Sequence, residues 1–79
     1  MKYIKKQIPV EAFQFGVEPT PEWANFLQFS TEIKTLEGSL FIQPGDYVVK
    51  GIYGEVYPVR ADIFELTYER YEEKEKRDE

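Results

Sequence analysis

Six carboxylates, Glu11, Glu37, Asp46, Glu55, Asp62 and Glu65, are the generic catalytic equipment that this sequence carries. A pair of them could share acid–base work only inside a sheltered pocket, which so small a domain rarely builds. Each also has a plainer task. Asp46 follows Pro44-Gly45 and is expected to cap that turn, and Asp62 is expected to cap the last helix. Glu55 is expected to face solvent or to pair with Lys50 across a hairpin. The chain has no histidine, which removes the commonest general base and metal ligand together. It has no cysteine, so disulfides, thiolate zinc sites and thiol nucleophiles are absent as well. Gly45, Gly51 and Gly54 fall in a hairpin and do not spell a phosphate loop. No enzyme, cofactor or metal site is expected.

Recognition chemistry is better supplied. Tyr47, Tyr53 and Tyr57 lie on one hairpin with Arg60 close behind, a set of rigid rings and one forked cation that suits a protein interface. A plainer reading puts two of these tyrosines in the core and the third on the surface. Alternatively, Lys50, Tyr53 and Arg60 hold an anionic nucleotide, with a ring on the base and a cation on the phosphate. The acidic surface could also mimic nucleic acid toward a basic groove.

Size and composition narrow the class. Seventy-nine residues make one domain, close to the limit at which a single core suffices. The aromatic share of 16% helps, since each buried ring removes roughly 150–250 Å² from water. Small chains often bury more surface in an oligomer, so a homo-oligomer stays open. The net charge of -5 includes a basic start at Lys2, Lys5 and Lys6 before a mostly acidic body. That balance disfavours direct binding of nucleic acid. No apolar run approaches the roughly 20 residues of a membrane span, and the start lacks the apolar core of a secretory signal. A cytoplasmic location in the host cell and no membrane partner are expected.

The elements that must position these groups are legible from turn chemistry. Residues 3–15 read as extended, with Val10, Ala12 and Gln14 facing one way and Glu11, Phe13 and Phe15 the other. Pro9 marks an edge or a break. Thr20-Pro21-Glu22-Trp23 reads as a helix start with Thr20 capping, and Trp23, Phe26 and Leu27 then share a face. Hairpins follow at residues 33–42, around Glu37-Gly38, and at residues 47–59, with Pro44-Gly45-Asp46 between them. Four short strands in succession suggest an antiparallel meander. Asp62 and Glu65 have capping-box spacing, with residues 67–74 readable as helical or extended. The expected fold is a small α+β domain over residues 1–71. It has a twisted antiparallel sheet of about five short strands, a short helix from Pro21 and a C-terminal helix from Ile63. Its core draws on Phe13, Phe15, Trp23, Phe26, Leu27, Ile42, Val48, Val56, Ile63 and Phe64. Residues 72–79 form a charged, solvated tail.

The order of these segments carries a resemblance along the whole chain. Val10-Glu11-Ala12-Phe13-Gln14-Phe15, Pro21-Glu22-Trp23, Leu36-Glu37-Gly38, Pro44-Gly45-Asp46-Tyr47, Gly54-Glu55-Val56-Tyr57-Pro58, Asp62-Ile63-Phe64 and Thr67-Tyr68-Glu69 occur in turn. The chain thus resembles a widespread group of small phage and prophage proteins that has no settled activity. Many members carry Cys-Lys-Pro where this chain has Val59-Arg60-Ala61, so thiol chemistry there cannot apply to it. The resemblance implies a phage setting. It leads to the expectation of a non-catalytic accessory protein that binds and interferes with a host protein, a defence factor such as a CRISPR effector. The alternatives are a sponge for a small nucleotide signal and a minor virion structural or assembly protein.

Overall fold

A computed structural model describes residues 1–4 and 6–70. Five short strands and two short helices follow in order along the described residues: β1 (Glu11–Gln14), a 3-10 helix (Glu22–Gln28), β2 (Glu32–Thr35), β3 (Gly38–Phe41), β4 (Tyr47–Lys50), β5 (Val56–Val59) and α1 (Ala61–Thr67). The α+β class is as expected. The strands divide between two antiparallel sheets, β1-β4-β5 and β2-β3, and do not form one continuous meander.

The Pro44-Gly45 turn explains the division. Its backbone is claimed by the end of β1: the Gly45 amide donates to the Phe15 carbonyl at 2.8 Å, and the Phe15 amide donates to the Asp46 carbonyl at 2.8 Å. The Gln14 side-chain amide adds a bond to the Gly45 carbonyl at 3.0 Å. β4 therefore starts already paired with β1, in the register Phe13 to Val48, and β3 is left to pair with β2 alone. Asp46 caps the turn as expected, accepting from the Gln43 amide at 3.1 Å.

Gly16 completes this junction. Its φ is +80°, and a Cβ there would lie 3.1 Å from Pro44 Cβ and 3.3 Å from Pro44 Cα. Left-handed backbone costs a non-glycine residue about 1–2 kcal/mol before any crowding is counted. Gly16→Ala should therefore lower stability by about 2 kcal/mol or more, read as a lower urea midpoint at unchanged slope.

Alternation assigns the two faces of the three-stranded sheet. Phe13, Val48 and Pro58 align on one face, and Ala12, Val49 and Tyr57 on the other. The first face packs into the main core, where Phe13, Ala24, Leu27, Ile33, Ile42 and Val48 are buried and Phe15, Trp23 and Val56 pack against them. Pro58 sits in β5, an edge strand, where the amide hydrogen it lacks need not be supplied to the ladder.

Three core expectations fail for local reasons. Phe26 is 40% exposed, because the first helix is 3-10 and kinks at Ala24 (φ -123°, ψ 24°). Three residues per turn put Ala24 and Leu27 inside and rotate Phe26 outward. The helix begins after Pro21, which takes the N-cap position, and Thr20 does not cap it. Ile63 is 46% exposed, and Phe64 is half-buried outside the main core, against the second sheet face. At α1, Arg60 takes the N-cap position and Asp62 lies in the first turn, so Asp62 is not the cap. The helix stops at Thr67 because Tyr68 is extended (φ -124°, ψ 153°). The helical alternative thus fails for residues 68–70, while residues 71–79, including the expected tail, lie outside the described residues. No described helix is long and apolar enough to cross a membrane.

Candidate functional site

The second face of the three-stranded sheet is built from Ala12, Gln14, Tyr47, Val49, Tyr57 and Val59. α1 folds over the β4–β5 side of it through aromatic stacking. The Phe64 ring lies 3.9 Å from that of Tyr47 at 6°, and Tyr68 continues the stack 4.7 Å from Phe64 at 15°. Such pairs add about 0.5–1.5 kcal/mol each beyond burial. Tyr57 closes the arrangement, its hydroxyl 3.3 Å from that of Tyr68. Burial, and then the bond to Tyr68, push the Tyr57 phenol up to about 12 from its ordinary 10.0.

This shift has a definite sign. The phenol ionises more readily in the unfolded chain, so its contribution to stability is fully present below pH 10 and is lost as pH rises toward 12. Alkaline titration followed by near-ultraviolet absorbance should show a tyrosine ionising near pH 12, and that step should vanish in Tyr57→Phe. The substitution should also flatten the loss of stability in the same window.

α1 leaves the β1 side of this face open, and Ala12 is exposed there. A cleft of about 980 Å³ runs between Gln7–Val10 on one side and residues 64–70 on the other. Tyr47 and Phe64 border it, and Glu18, Glu65 and Glu69 outnumber Arg70 among its charged residues.

The expected recognition residues do not converge. Tyr47 and Tyr57 share the face under α1, the stack taking up the first and Tyr68 the second. Lys50 reaches the opposite side, its Nζ 5.9 Å from the Trp23 ring centre, and Glu55 is not its partner. Arg60 is exposed and ion-paired to Asp62 at 2.7 Å. Tyr53 stands apart at the tip of the β4–β5 hairpin, 88% exposed. Sequence reasoning left Phe64 and Tyr68 without a site role, although their four-residue spacing was a signal, and it gave Glu55 no part in closing the hairpin turn.

Glu55 locks the hairpin tip. Its Oε1 accepts from the Tyr53 amide at 3.1 Å, and its carbonyl accepts from the Gly51 amide at 2.8 Å. The Gly54 amide donates to the Gly51 carbonyl at 3.0 Å, and Gly54 has a φ of +86°. Gly51 leaves the room that the Glu55 carboxylate fills, since a Cβ there would collide with it. The closed turn presents Ile52 and Tyr53 outward together, Ile52 being 54% exposed. Among the described residues no group of three or more Asp or Glu side chains is placed to hold a metal ion. Comparison with known protein families, curated proteins and solved structures returned no match to this chain.

Proposed function

We propose that this chain is a non-catalytic, phage-encoded accessory protein that grips a host protein through the tip of its β4–β5 hairpin and interferes with it. The observation that carries this reading is Tyr53. A large aromatic side chain is held in solvent on a turn closed by a carboxylate and two backbone hydrogen bonds. A tyrosine on a closed turn has only its own two side-chain torsions left to order on docking, which favours it as an interface anchor. The resemblance to phage and prophage proteins supplies the setting, and a bacterial defence factor such as a CRISPR effector is the partner class we favour.

The sponge reading has less behind it. Lys50, Tyr53 and Arg60 are spent in three different places, and the charged border of the cleft is mainly acidic. Affinity capture from infected host lysate, read by mass spectrometry for proteins and small molecules, tests the proposal. One stoichiometric host protein that is recovered by the wild type and lost with Tyr53→Ala is the expected result. Recovery of a nucleotide alone, of virion proteins, or of a host protein that ignores the substitution would overturn it.

A further inference from the structure

The N-terminal arm and the acidic cleft are complementary in chemistry and adjoin each other in the fold. In the arm, Met1, Tyr3 and Ile4 are 105%, 89% and 92% exposed, an unusual outlay of apolar surface for so short a segment. Lys2 and Lys6 alternate with them. The cleft offers the matching surface: Leu66, 85% exposed, and the exposed Ala12 lie among Glu18, Glu65 and Glu69.

The arm cannot easily serve its own cleft. Its base, Gln7–Val10, is already one wall. Pro9 disfavours a helical turn at Ile8, the residue before it, so the chain tends to leave the wall extended there. An extended segment of six residues reaches about 20 Å, enough to cross to a neighbouring molecule. Because arm base and cleft are contiguous, two copies facing each other about a two-fold axis would seat both arms at once, each in the other's cleft.

We propose that residues 1–6 are an exchange arm that docks in the acidic cleft of a second copy of this chain, forming a two-fold homodimer. Lys2 and Lys6 face the glutamates of the receiving cleft, and Tyr3 and Ile4 cover its Ala12 and Leu66. This contact uses neither Ile52 nor Tyr53, so it stands or falls independently of the hairpin-tip proposal.

Charge reversal tests it in the full chain. Lys2→Glu/Lys6→Glu alters the arm, Glu65→Lys/Glu69→Lys alters the cleft, and all four positions are exposed. Light scattering and sedimentation should find the wild type dimeric and its association weakened by raised salt. Each reversed variant alone should dimerise at least about tenfold more weakly, and their equimolar mixture should form a heterodimer, because both arms again meet clefts of opposite charge. Unchanged circular dichroism separates loss of association from loss of folding. A wild type that stays monomeric at every concentration overturns the proposal. So does a dimer indifferent to both reversals, or a mixture that recovers nothing, including the case in which the cleft takes only an added Lys-rich peptide.

Discussion

Ile33→Ala should destabilise the chain by about 2–5 kcal/mol, the range for deleting an aliphatic side chain from a core that collapses incompletely. Ile33 is 0% exposed and shares the core cluster with Phe13, Leu27, Ile42 and Val48. It is also a structural junction. It belongs to β2, yet most of its buried neighbours come from β1, the 3-10 helix and β4, so its truncation opens a void where the two sheets meet. Native domains have only about 5–15 kcal/mol in hand, and a chain of this size buries proportionally less surface than a larger one. In domains of 60–100 residues each kcal/mol moves the thermal midpoint by about 4–8 °C, so the loss is easily read by calorimetry. Ile33→Val should lose only about 0.5–1.5 kcal/mol. Leu36→Ala, at a side chain that is fully exposed in the β2–β3 turn, should change little and serves as the control. A loss below about 1 kcal/mol for Ile33→Ala would mean that the β2–β3 hairpin is not packed on the three-stranded sheet as described.

That Ile33 carries so much was not visible in the sequence, and the reason is instructive. Turn chemistry is local: Pro44-Gly45-Asp46, Gly54 and the paired β-branched arms each declare themselves within a few residues, and the two hairpins form where those signals lie. Strand partnership is not local. β4 pairs with β1 through bonds between Phe15 and Gly45-Asp46, about thirty residues apart, and no feature of either segment alone specifies that choice. A meander is the default for consecutive strands, and here one clamped turn overrides it. The first helix shows the same limit on a smaller scale. Trp23, Phe26 and Leu27 fit a 3.6-residue period, but the 3-10 winding and the kink at Ala24 select Ala24 and Leu27 instead.

The candidate site divides in the same way. Tyrosines spaced along a hairpin could be seen to be recognition residues or core residues, but which of them would be covered depended on α1. Phe64 covers Tyr47, and Tyr68 bonds Tyr57, so two members of the expected set serve the packing of the helix. Arg60 is near the start of α1 and finds Asp62 two residues away, a local pairing that competes with any role across the hairpin. Tyr53 keeps its solvent exposure because it lies where the chain turns back, beyond the last paired residues of β4 and β5. The role of Glu55 depended on backbone geometry at Gly51 and Gly54. A carboxylate two residues past a tyrosine has no signature until the turn closes around it.

If the hairpin tip is the proposed interface, Tyr53→Ala should weaken binding of the captured partner by about 2 kcal/mol or more, a factor of about thirty, and leave the fold intact. The two halves of that statement have separate causes. The side chain is 88% exposed and makes no hydrogen bond among the described residues, while the bond to Glu55 is made by the Tyr53 backbone and survives truncation. Thermal midpoints of variant and wild type should therefore agree, and the whole effect should appear in affinity, measured by calorimetric titration against the captured partner. Tyr53→Phe separates the ring from the hydroxyl. If the ring supplies the contact, most of the affinity remains. Gly54→Ala tests the rigidity of the tip. Its Cβ would meet nothing within 4 Å, so its only effect is the strain of a φ of +86°, about 1–2 kcal/mol, relieved by distorting the turn. That distortion should lower both stability and affinity, although no contact side chain has been removed. Full affinity in Tyr53→Ala, with loss instead in Phe29→Ala or Phe41→Ala, would move the interface to the end of the 3-10 helix or to β3, respectively. Those two rings are 89% and 69% exposed, but Phe41 stands in the β2–β3 ladder and Phe29 at the end of the 3-10 helix, so neither projects from a hairpin tip as Tyr53 does.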